Sequence, residues 1–257
     1  MLAAPDLALA RRDRNLPGLA GVLDADLVAQ RLRAALPELE VVTAHPYYVR
    51  YKPGTNCLVG YLINTRGGER LGYAKSVGPG GDPKLEKMLA LRAVPLTGEA
   101  AFTMFPTDRE LPALARLSHP DTRRRLLGKL LPDRADLTTG HLRVLRYKPE
   151  RRCVAVVEGR DGPEVVIRVY DRHDFFDPAH LASGVFSSDG PLRVARRLGR
   201  SHRHRVLALE WLPGMPLDTA LAGGEVDRAA LRRVGEALRL LHHRPVEGLA
   251  DLAGESE

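Results

Sequence analysis

Only two cysteines, Cys57 and Cys153, occur in 257 residues. That excludes a disulfide framework and suits a reducing compartment. Each stands at the same place in a repeated phrase, so both read as small core residues of strands, with a bridge between them the lesser reading. Aromatic residues are scarce too, at 5% of the chain with a single tryptophan, which argues against stacking platforms for single-stranded nucleic acid. No apolar run approaches the roughly 18 residues that a membrane span needs. The opening "MLAAPDLALARRDRNLPG" meets Asp and Arg too early for a secretory signal, and the expectation is a cytoplasmic protein. A Gly-x-Ser-x-Gly nucleophile elbow is missing. The His pairs of "SHRHR" (201–205) and "LHHRP" (241–245) have no Cys or acidic residue at ligand spacing, so no metal site is expected.

What is present is ordinary for a globular protein: 44% hydrophobic and 28% charged residues. The net charge of +7 comes from scattered arginines, as in "DTRRRLLGK", and reads as a solvated surface rather than a nucleic-acid footprint. The Gly-rich "VGPGGDP" (77–83) between a strand and a helix could cradle a phosphate, but reads first as a flexible turn.

The phrase "VRYKPGTNC" from Val49 returns as "LRYKPERRC" from Leu145. After it, "CLVGYLINTRGGERLGYAKSV" and "CVAVVEGRDGPEVVIRVYD" share one grammar: an apolar run, a Gly-containing polar turn, a second apolar run. That is a β-hairpin signature, with Gly67-Gly68 and Asp161-Gly162 at the turns. "HPYYVRY" and "GHLRVLRY" read as preceding strands, and Pro53 and Pro149 as turn starters. Each copy is thus expected to be a three-stranded antiparallel meander. Period-2 alternation puts Tyr73, Lys75 and Val77 on one face, and Val166, Arg168 and Tyr170 on one face. Each copy therefore places a cation mid-strand among apolar neighbours, where it must snorkel to water or meet an anion. A helix carrying Glu86 follows Lys75. One or two helices without Glu follow Arg168. Then come a strand in "HRVLALEWLPGMPL", a helix start at Pro216 or Leu217, and a helix with Leu231, Val234, Leu238 and Leu241 on one face, ended by Pro245.

This order of parts resembles the aminoglycoside phosphotransferase and choline kinase-like family, of protein-kinase-like fold. "ALEWLPGMPL" is similar to its hinge strand, "LRLLHH" to the end of its next helix, and "RYKPERRCVAVVEG…VVIRVYD" to its first three N-lobe strands. "FTMFPTDRELPALARL" looks like a linker between the copies. The resemblance spans about residues 140–245.

The resemblance implies that the backbone around Glu210, Trp211 and Leu212 meets an adenine edge, and that Arg168 stands where the family keeps a phosphate-holding Lys. Lys75 with Glu86 would form the corresponding pair in the first copy. ATP and Mg²⁺ are the family's cofactors. Neither the His-Gly-Asp-x-x-x-x-Asn catalytic loop nor a Gly-x-Gly-x-x-Gly loop occurs, and the His-Asp of "RHDFFD" (172–177) precedes the hinge and lacks the Asn. No catalytic residue is therefore assigned, and weak or no ATP binding with no turnover is expected of this chain. The expected fold is α+β: two kinase N-lobe-like antiparallel sheet units with flanking helices and no C-terminal catalytic lobe. The first copy, with N-terminal helices and linker, takes residues 1–137. The second, with the hinge strand and the start of the C-lobe helices, takes 138–257. The function expected is the nucleotide-binding portion of a small-molecule kinase, with a nucleotide and a small-molecule acceptor as ligands and a C-terminal kinase half to complete it. The competing reading is a non-catalytic, pseudokinase-like scaffold with a protein partner.

Overall fold

The computed structural model describes residues 2–175, 192–222 and 227–243. Pro245, and Phe176 and Asp177 of "RHDFFD", lie outside them. The fold is α+β, with two five-stranded antiparallel sheets and flanking helices. The chain divides into two compact units: Met1–Ser118 with Tyr147–Arg151, and His119–Arg146 with Arg152–Glu257.

The first unit opens with α1 (Ala4–Arg12), α2 (Leu19–Leu23) and α3 (Ala25–Ala35). Asp24 caps α3 through its side chain, accepting from the N–H groups of Asp26 and Leu27. Val28, Ala29 and Leu32, spaced along one helix face, are the buried positions. Then come β1 (Val41–Lys52), β2 (Asn56–Thr65), β3 (Gly68–Val77), α4 (Asp82–Ala90), β4 (Val94–Pro95) and β5 (Ala100–Met104), in sheet order β1-β2-β3-β5-β4. One face of this sheet supplies Cys57, Val59, Tyr61, Ile63, Ala74, Ala100 and Phe102 to a core shared with Leu16, Leu19 and Val22. The Tyr61 hydroxyl satisfies itself by donating to the Val22 carbonyl at 2.7 Å. Strands buried this way lose their alternation, which explains one difference from the expected linker. The first three residues of "FTMFPTDRELPALARL" complete β5, whose residues Ala100–Thr103 are all buried, and its last residues enter α5 (Ala113–Ser118).

The second unit repeats the plan. It runs α6 (Pro120–Leu130), a 3₁₀ turn at Ala135–Thr139, β6 (His141–Lys148), β7 (Arg152–Gly159), β8 (Gly162–Tyr170), α7 (Arg172–Phe175), β9 (Arg197–Ser201) and β10 (Val206–Glu210). Its sheet order, β6-β7-β8-β10-β9, matches the first strand for strand. Both expected meanders are present, each extended by two strands, and Gly68 and Gly162 take the positive φ their turns require. β9 occupies the end of a stretch read from sequence as helical. Gly199 makes it fit: a Cβ there would lie 1.8 Å from the carbonyl oxygen of Leu130, so the strand approaches the helix end as only glycine allows.

The element order shows where the second copy begins. α5 and α6 stand in it as α2 and α3 stand in the first. A boundary at 137/138 would cut behind those helices, whereas the compact units change over between α5 and α6 at 118/119 and again on either side of Tyr147–Arg151. Beyond β10 lie α8 (Leu217–Ala222) and α9 (Arg228–His242). No residue of α9 is buried, so its apolar face at Leu231, Val234, Leu238 and Leu241 does not reach a core.

Candidate functional site

The repeated phrase is explained by a carboxylate upstream of it. In the first copy, Asp13 Oδ2 accepts from the Tyr51 hydroxyl at 2.6 Å and from the Gly54 N–H at 2.8 Å. In the second, Asp108 Oδ2 accepts from the Tyr147 hydroxyl at 2.7 Å and from the Glu150 N–H at 2.9 Å. Both aspartates open a second repeated phrase, "DRNLPGL" and "DRELPAL", whose leucines Leu16 and Leu111 are buried. The sequence reading passed over this signal. Tyr in "RYKP" ties the turn to Asp, and Pro starts a turn whose next residue is left-handed in both copies, at φ 65° for Gly54 and 58° for Glu150.

The left-handed region suits Gly and costs a side-chain-bearing residue roughly 1–2 kcal/mol. Glu150 holds it while aiming its carboxylate at the first sheet. Lys75 Nζ donates to both its oxygens, at 2.6 and 2.7 Å, and Arg50 Nη2 donates to one at 3.0 Å. Arg50, Leu58, Lys75 and Ala101 are successive partners across β1, β2, β3 and β5, so both cations rise from one face of the sheet. Lys75 and Glu150 are buried. Glu86, the partner the resemblance implied for Lys75, is exposed on α4. The strand-borne ammonium is neutralised inside its unit by Glu150 instead.

The two copies of the Asp latch differ electrically. Hydrogen bonds from Gly54 and Tyr51 hold the Asp13 carboxyl below the usual aspartate range. Burial pushes the Asp108 carboxyl up, outweighing its bonds from Glu150 and Tyr147, and the neighbouring Glu150 adds to the rise. Asp108 Oδ1 also accepts from the N–H groups of Glu110 and Leu111.

In the second sheet, Arg168 pairs across the strands with Val154, the residue after Cys153, as Lys75 pairs with Leu58, the residue after Cys57. The two cations thus hold the same register. No carboxylate meets Arg168 among the described residues, and its Nε is buried without a hydrogen-bond partner. The register also places Leu207 between Arg168 on β8 and Arg200 on β9.

The hinge-like residues lie at the end of β10. The Glu210 N–H donates to the Arg196 carbonyl at 2.8 Å and the Trp211 N–H to the Glu164 carbonyl at 3.2 Å. Glu210 is three residues from Leu207, so its side chain leaves the sheet on the face opposite Arg168. There it lines a cleft of about 450 Å³ with Leu131, Arg134, Glu164, Arg196 and Arg197. Arg134 is already bound to Asp136 and Glu164. The structure therefore separates the side chains of Arg168 and Glu210, and Trp211 and Leu212 are half-buried beyond the strand.

Cys57 and Cys153 are both buried and form no disulfide with each other, and burial pushes the Cys57 thiol up to about 12. Among the described residues no helix is long and apolar enough to cross a membrane, and no group of three or more His, Cys, Asp or Glu could hold a metal ion. No family model, curated protein or solved structure matches this chain.

Proposed function

We propose that this chain is the nucleotide-binding portion of an aminoglycoside phosphotransferase-like small-molecule kinase, in which only the second sheet has kept the ligand-facing role. The observation that carries the reading is the contrast between two cations in one register: Lys75 is spent on Glu150, while Arg168 has no acidic partner among the described residues. An unneutralised cation among apolar strand neighbours calls for an anion. A guanidinium offers a phosphate a planar fork. The strand order of both sheets, with a helix between third and fourth strands, supports the N-lobe comparison.

The first copy serves a structural role, its strand cation closed off inside its own unit by the Lys75–Glu150–Arg50 cluster. For a purine, the N–H groups of Glu210 and Trp211 are engaged, so its edge would meet the Glu210 carbonyl and the Leu212 N–H. ATP would supply the transferable phosphoryl group. Among the described residues no cluster of His, Cys, Asp or Glu offers Mg²⁺ a ligand set. A side chain positioned as catalytic base is likewise unassigned, and the chain by itself is expected to bind nucleotide weakly and turn nothing over.

The test is calorimetric titration with Mg-ATP on wild type, Arg168→Met and Glu86→Ala, with phosphate release measured on the same samples. Weak binding lost in Arg168→Met and kept in Glu86→Ala is the expected result. Binding unchanged in Arg168→Met would remove the second sheet from the nucleotide's path. Sustained turnover at ordinary kinase rates, roughly 1 per second or more, would reveal a catalytic site in this chain and overturn the assignment. The scaffold alternative gains if no nucleotide binds at all.

A further inference from the structure

The face of the second sheet that carries Arg168 is unusual in its charge. Arg168 on β8 and Arg200 on β9 flank Leu207 on β10 as direct cross-strand neighbours. Adjacent strands lie about 4.8 Å apart, so the two arginine backbones stand roughly 10 Å apart on one face. Both side chains are half-buried, and the Nε of each is shut off from solvent with no hydrogen-bond partner. The surroundings are apolar: Val154 and Tyr170 by register and alternation, and the Phe175 ring, 4.8 Å from the Arg200 guanidinium. The nearest acids along the chain are engaged locally. Asp171 accepts from the Asp174 N–H, and Asp174 lies 3.8 Å from His173 Nδ1. Burial, and then the neighbouring Arg197, pull the Arg200 pKa down. A nearby anion would reverse that pull. Two guanidiniums sharing a partly desolvated face, with no carboxylate on either among the described residues, form an arrangement that costs stability until an anion arrives.

We infer that Arg168 and Arg200 together form an oxyanion site that takes two linked phosphate groups, one on each guanidinium, with Leu207 as the floor between them. Two forks about two strand spacings apart suit a diphosphate or longer chain better than a single phosphate, because each fork can take its own phosphate bidentately. The inference rests on the nucleotide-binding reading for the source of the diphosphate, since the same chemistry would also hold a free inorganic polyphosphate.

The experiment is titration calorimetry and thermal unfolding of the full chain with pyrophosphate, tripolyphosphate and Mg-ATP at low salt. The variants are Arg168→Met, Arg200→Met and Arg200→Lys. Wild type is expected to bind pyrophosphate at one site and to melt higher in its presence. Each Met variant should weaken binding about tenfold or more, as loss of a charged hydrogen-bonding group does, and Arg200→Lys, keeping charge without the fork, should weaken it less. Without ligand, Arg200→Met should melt at or above the wild-type temperature. A lower melting temperature together with unchanged pyrophosphate affinity would make Arg200 a packing residue for Phe175 and overturn the inference. So would absence of pyrophosphate binding to wild type at millimolar concentration. If Arg200→Met does not fold, Arg200→Lys decides by the same affinity criterion. Pyrophosphate binding that depends on both arginines, with Mg-ATP no tighter than tripolyphosphate, would keep the site while ending the nucleotide reading. Mg-ATP binding more tightly than tripolyphosphate supports both.

Discussion

Lys75 and Arg168 occupy one position of a duplicated sheet and meet opposite fates. Lys75 is buried against Glu150 and shares that carboxylate with Arg50. Arg168, in the same register, finds no carboxylate among the described residues. The difference comes from a turn: where the first copy has Gly54, the second has Glu150, and the side chain gained there serves the first unit, to which Tyr147–Arg151 belong. Among the described residues, the duplicated cation is thus left without a carboxylate only in the second copy.

The sharpest way to break this contrast is to remove Glu150. Glu150→Ala should destabilise the protein by about 3–5 kcal/mol, because it strands two partly buried cations, as measured by urea unfolding. Glu150→Gly should lose slightly less, since it relieves the left-handed backbone. A loss below about 1 kcal/mol would mean the cluster is not the anchor of its unit. Lys75→Met should cost less than Glu150→Ala, because Arg50 stays with the carboxylate, and the double variant should cost less than the two single losses together.

Next in size is Asp108→Ala, expected to cost about 2–3 kcal/mol by leaving the buried N–H groups of Leu111 and Glu150 without an acceptor. Asp13→Ala, in the solvated copy, should cost less. Equal losses would show that burial does not separate the two latches.

Acid titration followed by carboxyl carbon resonances should set the same pair apart. Asp13 should titrate below 3.8 and Asp108 above it. The signs follow by linkage. Asp13's contribution to stability is present above 3.8 and is lost as pH falls through its depressed folded value. Asp108 favours the folded state most below 3.8, and that increment disappears as pH rises through its raised folded value. A reversed order would contradict the burial difference. The smallest effect belongs to Arg168→Met: within about 0.5 kcal/mol of wild type without ligand, against the large loss at Lys75.

The meanders and mid-strand cations were legible because hairpins are local and strands alternate. β5 was not, since Ala100, Ala101, Phe102 and Thr103 are buried in succession and leave no period to read. β4 is only Val94–Pro95. Partners across long sequence separations were the hardest. Glu86 stood 11 positions from Lys75 and looked natural, whereas Glu150 stands 75 away in the other copy's turn. The Asp latch could have been found: "DRNLPGL" and "DRELPAL" precede their "RYKP" by similar distances, 38 and 39 residues from Asp to Tyr. The apolar run in "HRVLALEWLPGMPL" located β10, but it could not reveal that Arg168 and the Glu210 side chain leave the sheet on opposite faces. Only strand register decides that.

Cys57 and Cys153 sit at matching points of their sheets, and both are closed to solvent at 0% and 1% exposure. The duplication has therefore given each sheet its own masked thiol at the same depth. A thiol reagent reaches either sulfur only after the surrounding strands part, so the modification rate of Cys57 times the opening of the first sheet and that of Cys153 the opening of the second. The chain carries a matched pair of internal clocks, one for each half of its duplication.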